Sequence, residues 1–352
     1  MKKAYLVLQN GKVFEGQAIG AEGIALGEMV FTTGVVGYVE NLTDPCYAGQ
    51  IIMQTFPVVG NYGVAMEDAS GKCQAAGFVV RELCDEPSNF RSEIGLDEYL
   101  KANNVVGICG VDTRELTSIL RDEGVMNAMI CTEIPADLSA LNDCNVQMYK
   151  ADIEDVVNVK AVGECKFKVA VIDCGAGMKL AKKLAEHGCD VAVIAADAAN
   201  GILESDYNGI AVSEGPGDPA DYKKTISEIQ NVIGKMPVLG IGLGHQLVIL
   251  AEGGKTWKMK YGHRGSNQPV KSMENGRVYI TTQNHGYVAE PPTDDCVIFK
   301  NINDGTCEGI FSADKKLLTV QFMPEECAGP NDMSFVYERF IEMMGGDMNA
   351  QR

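Results

Sequence analysis

The sequence predicts a mixed α/β domain followed by an α/β domain built on a parallel sheet. Three observations lead there. The chain has 352 residues, enough for two domains at roughly 150 residues each. Its first half reads as short strands and glycine-rich turns with few helices. From about residue 168 onward, apolar strand-like runs alternate with amphipathic stretches, the pattern of parallel strands joined by right-handed crossovers. The expected division is 1–151 for the first domain, 152–167 for a linker and 168–346 for the second domain.

In chain order, Tyr5–Leu8 and Lys12–Phe14 flank Asn10-Gly11, a strong hairpin signal. Leu96–Asn103 and Thr113–Asp122 read as helices, with Asp112 or Thr113 able to cap the second. The polar stretch from Ala151 to Lys168 carries the linker. Val169–Ile172 is a buried-type strand, and Met178–His187 a helix stopped by Gly188. Asp190–Ala195, Gly209–Ser213 and Pro237–Ile241 are further strands. Asp221–Ile233 places Ile226, Ile229, Val232 and Ile233 at helical spacing. In such sheets, sites lie at the carboxyl ends of the strands.

The formal charge of −18 argues against a backbone-contacting nucleic-acid binder, which would need a basic footprint, and disfavours an anionic membrane surface. Its simplest meaning is solubility. The 12 cysteines are scattered, with no CxxC, so they read as reduced thiols rather than metal ligands or a disulfide framework. The apolar run Ala4–Leu8 is too short for a signal peptide, and no stretch approaches the length of a membrane span. A cytoplasmic location is expected.

The sharpest local feature is Pro237-Val-Leu-Gly-Ile-Gly-Leu-Gly-His-Gln246. A strand runs through Gly240, Gly242 and Gly244 into a helix, the layout of a nucleophile elbow. At its centre stands Gly242, which has no side chain. A glycine-rich turn without chemistry reads equally well. A dinucleotide loop does not fit: the spacing is G-x-G-x-G, and Glu252 comes too early for the ribose-binding acid.

Gly240–Gln246 resembles the G-I-C-L-G-H-Q elbow of class I glutamine amidotransferases, and Ser213-Glu-Gly-Pro-Gly-Asp-Pro219 resembles their S-N-G-P-G-D-P oxyanion loop. Further segments resemble the carbamoyl-phosphate synthetase small subunit in particular. They are Gly37-Tyr-Val-Glu-Asn-Leu-Thr-Asp-Pro-Cys-Tyr47, Ser88-Asn-Phe-Arg91, Val111–Thr117, Tyr261–Val270 and Gln283-Asn-His-Gly286, in family order across both halves. The resemblance implies an N-terminal small-subunit domain followed by a class I glutamine amidotransferase-like domain. It also implies a large-subunit partner that makes carbamoyl phosphate from bicarbonate, ATP and ammonia. ATP is expected only on that partner; no cofactor or metal is expected in this chain.

The resemblance places Gly242 at the nucleophile position and Met323 at the base position, with Glu325 as the retained third member. Phe322 replaces the glycine before the base and is expected to crowd the site. Glutamine hydrolysis requires a thiolate to form a thioester, and a base to generate that thiolate and activate water. Neither glycine nor a thioether supplies these. The glutamine contacts carry over to Cys46, Gly215, Gly217, Leu243, Gln246, Asn284, Gly286 and Tyr287. Cys46 stands for a serine, Tyr287 for a phenylalanine and Glu214 for an asparagine. His245 and His285 are expected in supporting roles. The expectation is a small subunit with a silent glutaminase centre, with glutamine as a possible ligand. The alternative is a stand-alone protein that binds glutamine or a similar small molecule.

Overall fold

The computed structural model describes residues 2–142, 144, 146, 156–198, 205–324 and 329–345. The chain divides into two compact units. The first holds Met1–Gln147 with Lys260–Gly265, and the second holds Met148–Met259 with Ser266–Arg352.

The first unit is a closed barrel. Its strands are β1 (Lys3–Leu8), β2 (Val13–Gly20), β3 (Ala25–Thr32), β4 (Gln50–Gln54), β6 (Gly77–Val79), β8 (Val106–Cys109) and β9 (Met126–Cys131). They are ordered β1-β2-β8-β6-β4-β3-β9. Short strands β5 (Val58–Val59) and β7 (Glu82–Leu83) pair separately. The Asn10-Gly11 turn forms as expected, joining β1 and β2 in antiparallel register from Val7↔Val13. The β3/β4, β4/β6 and β6/β8 pairs are parallel, so the barrel is mixed. Along β3, β4 and β6 its wall is buried on both faces, whereas β2 alternates exposed and partly buried positions. Met29, Ile51, Met53, Val79 and Ile108 pack with Leu116 and Leu120 of α3 (Thr113–Glu123). Val30, Ile52 and Phe78 pack with residues of α1 (Tyr38–Thr43) and α2 (Leu96–Ala102). Asp112 caps α3, accepting from the amides of Arg114 and Glu115 at 3.0 Å each.

The second unit is a ten-stranded sheet. Its parallel part comprises β12 (Cys189–Ala195), β11 (Phe167–Asp173), β13 (Gly209–Val212), β14 (Val238–Ile241) and β19 (Leu317–Val320), in that spatial order. These strands are near-continuous apolar runs because both faces are covered. On one face Val169, Val171, Leu318 and Val320 pack against α4 (Gly177–Glu186) and α7 (Phe335–Met343). On the other, Ala170, Ile172, Ile210 and Val238 pack against α5 (Lys223–Val232) and α6 (Leu243–Ala251).

Beyond β19 the sheet continues through β18 (Cys307–Ser312), β17 (Val297–Asn301), β15 (Lys255–Ser272) and β16 (Val278–Glu290). The β19/β18, β18/β17 and β17/β15 pairs are antiparallel. At the opposite edge, β10 (Val157–Val159) pairs antiparallel with β12. Three residues of the stretch read as linker are therefore a sheet edge, with Val157 and Val159 alternating across a polar Asn158. Gly188, at φ +85°, closes α4 as its sequence position indicated. Among the described residues, no helix is long and apolar enough to cross a membrane.

Candidate functional site

The site residues of the second unit gather at the carboxyl ends of its parallel strands. β14 ends at Ile241, and Gly242 follows at φ 57°, ψ −113° as the N-cap of α6. A side chain is strained in that region of backbone space; glycine adopts it freely. The turn is held from below, where the Gly242 amide donates to the carbonyl of Val320 at 2.9 Å. Its neighbours are small for a steric reason. A Cβ on Gly240 would lie 2.7 Å from the Gly244 carbonyl oxygen, and one on Gly244 would lie 2.2 Å from that of Val212. The turn at Gly242 thus has the tight strand-to-helix form that the sequence pattern indicated.

Helix α6 is buried on every side, the signature of a helix inside the core. Its polar residues are consequently paired. His245 Nδ1 lies 2.7 Å from Thr319 Oγ1, and burial pushes its imidazole down to about 3, so it stays neutral. Gln246 Nε2 donates to the carbonyl of Tyr287 at 2.7 Å and to Gln321 Oε1 at 2.9 Å. Leu243 is buried at the first turn.

The loop after β13 carries Gly215 and Gly217. Ser213 Oγ accepts from the Cys174 amide and donates to the Glu214 carbonyl, both at 2.9 Å. The Ala176 amide also donates to the Glu214 carbonyl at 3.1 Å. Tyr222 donates its hydroxyl to the Pro216 carbonyl at 2.9 Å. The loop is therefore tied to the end of β11. Cys174, the nearest thiol in that chain segment, is fully buried and burial pushes it well above the usual thiol range.

On β16, Asn284, Gly286 and Tyr287 are half-buried, while Gln283 and His285 are buried. His285 Nδ1 lies 2.8 Å from the Tyr287 carbonyl and Nε2 lies 3.1 Å from Gln283 Oε1. Gln283 Nε2 donates to Glu308 Oε2 at 2.9 Å, and Asn301 Nδ2 donates to Glu308 Oε1 at 3.2 Å. Both histidines thus have fixed structural partners, and this buried network holds the strand that presents Asn284 and Gly286.

After β19, Met323 pairs across an isolated bridge with Thr282, its amide donating to the Thr282 carbonyl at 3.0 Å. Met323 lines a cavity with Glu214, Ile241, Lys179, Lys183 and Tyr337. Phe322 does not crowd this cavity as expected. It turns into the core, fully buried, with its ring edge-on to Phe299 at 5.5 Å. The reason is alternation: Leu318, Val320 and Phe322 continue one face of the strand.

Lys179 and Lys183 were not singled out from the sequence, although their i, i+4 spacing on α4 puts them on one face of that helix. Glu325 lies outside the described residues. Cys46 belongs to the first unit, buried in a single 3-10 turn, Pro45–Tyr47, with its amide donating to Asp44 Oδ1 at 2.8 Å.

A doubly covered sheet with a glycine elbow and a tied loop at adjoining strand ends defines a protein of the class I glutamine amidotransferase type. Residues 170–343 match the glutamine amidotransferase class-I family, and residues 6–130 match the carbamoyl-phosphate synthase small chain, CPSase domain. The chain belongs to the carbamoyl phosphate synthase small chain family. It is 43% identical over 350 residues to the small chain of Clostridium perfringens, spanning 97% of this chain and 99% of that one. The small chain of Archaeoglobus fulgidus is 45% identical over 354 residues, with 97% and 99% coverage. That of Methanopyrus kandleri is 41% identical over 356 residues, with the same coverage.

Proposed function

We propose that this chain serves as a carbamoyl phosphate synthase small subunit whose own glutamine-splitting centre is silent. It supports a large-subunit partner that takes its nitrogen as ammonia and carries the ATP chemistry. The observation behind this reading is Gly242. It occupies the N-cap of α6 at the strained angles of an elbow, with no atom able to attack a carbon centre. Met323, at the position the family resemblance assigns to the base, offers a thioether that accepts protons too weakly for either half-reaction. Nucleophile and base act as a unit, and removing either member lowers turnover on the order of 10⁶-fold in a serine hydrolase. The pocket side chains Gln246 and Asn284 remain, but they orient a substrate rather than cleave it.

The test is ammonia release from glutamine by the purified chain, alone and mixed with its cognate large subunit, beside carbamoyl phosphate synthesis from ammonia. The expected result is a stable heteromer, ammonia-dependent synthesis and no glutamine-dependent turnover above background. Saturable ammonia release that survives purification would show that the active residues lie elsewhere. A chain that stays free of the large subunit would instead support a stand-alone binding role.

A further inference from the structure

The space above the elbow is already occupied from within the chain. A Cβ built on Gly242 would lie 2.8 Å from Glu214 Cβ, 3.5 Å from its Cα and 3.7 Å from its Oε2. The nearest approach is therefore at the root of the Glu214 side chain, not at a flexible tip that could swing aside. The root itself is pinned, because the Glu214 carbonyl accepts from Ser213 Oγ and the Ala176 amide. Gly215 next to it is packed so closely that a Cβ there would fall 1.8 Å from the Cys174 carbonyl oxygen. A side chain at 242 and the loop in its present position exclude one another.

Glu214 is buried at 8% exposure. Its carboxylate stands beside the N-cap of α6, a nine-residue helix whose first-turn amides lack intrahelical partners and favour negative charge. Lys179 and Lys183 line the same cavity and add to that preference. An amide substrate bound at an elbow of this kind would develop its negative oxygen in the region that such donors serve.

We propose that Glu214 closes this site to glutamine: it supplies the pocket's own anion and, paired with a side-chain-free Gly242, fills the space a substrate carbonyl would need. The proposal rests on the placement of the glutamine pocket in the preceding subsection. With the loop in its present position, Gly242 is what leaves room for the root of the Glu214 side chain.

Two Glu214 variants separate charge from bulk. Glu214→Ala removes the carboxylate and keeps Cβ, while Glu214→Gly removes both. Titration calorimetry with glutamine should show no saturable binding by the unaltered chain at millimolar concentrations. Both variants should gain at least tenfold in affinity. In thermal unfolding, Gly242→Ala should lower the midpoint in the unaltered and Glu214→Ala backgrounds, and lower it by clearly less in the Glu214→Gly background. An equal decrease in all three backgrounds overturns the pairing, and unchanged affinity in both variants overturns the closure. An unaltered chain that binds glutamine without releasing ammonia overturns the closure while leaving the silent centre standing; one that releases ammonia overturns the silent centre itself.

Discussion

Replacing Phe322 by glycine, the residue that the family pattern has there, is expected to damage the fold before it affects any chemistry. Phe322 is fully buried in the core between the sheet and helices α4 and α7. Truncating a buried phenylalanine typically costs about 3–5 kcal/mol through lost transfer energy and the cavity left behind. Part of that, roughly 0.5–1.5 kcal/mol, is the edge-on contact with Phe299. Glycine adds about 0.4–1 kcal/mol by loosening the unfolded chain. A total near 5 kcal/mol in a unit of about 200 residues lowers the melting midpoint by on the order of 10–20 °C. Calorimetric or fluorescence-detected unfolding of Phe322→Gly, with urea titration for the free energy, measures it directly. A loss below about 1 kcal/mol would refute the core assignment and return Phe322 to the cavity. Any attempt to restore turnover through Gly242→Cys, Met323→His and Phe322→Gly together therefore needs its folding measured first, because inactivity in that variant has two causes.

Burial holds His245 at about 3 in the folded chain, against roughly 6.5 when unfolded. Below the unfolded value the unfolded chain binds a proton that the folded chain does not. The contribution is thus intact above about pH 6.5 and declines as pH falls toward 3, by about 2 kcal/mol between pH 7 and 5. Urea titrations at those two pH values should show this loss, and His245→Gln should lack it; an unchanged pH dependence contradicts the buried neutral imidazole. Gly244→Ala, whose Cβ would meet the Val212 carbonyl oxygen at 2.2 Å, should lose about 1–3 kcal/mol or more, and a loss well under about 1 kcal/mol by the same titration would mean that the turn can open. Phe90 is 97% exposed, so Phe90→Ser should leave unfolding within about 0.5 kcal/mol, a larger change indicating a packed position.

The second unit was legible where burial leaves a mark in sequence. Its parallel strands are covered on both faces, so they read as unbroken apolar runs, and Gly188 closes α4 at the expected place. β10 escaped because three residues, Val157–Val159, sit in a polar stretch too short to show a period. The barrel of the first unit escaped for another reason: its closure joins β1 to β9, as in Leu6↔Ile130, and no local pattern carries a pairing between residues so far apart in the chain.

The same division runs through the site. Glycines 240, 242 and 244 were readable because a tight turn constrains residue size locally, whereas the approach of Glu214 was not, since it depends on how the β13 loop is tied to Cys174 and Ala176. Charge at position 214 was visible in the sequence as a change from asparagine; occupation of the elbow was not. Phe322 shows how close the two kinds of information lie. Position alone assigns it to the cavity beside Met323, yet Leu318, Val320 and Phe322 alternate, and that two-residue period sends the ring to the core while Thr319 and Gln321, on the intervening positions, bond to His245 and Gln246 of α6. A pattern borrowed from relatives says which chemistry it assigns to a position, and strand alternation says which way the side chain there points. Where they disagree, as at Phe322, packing energy of several kcal/mol decides.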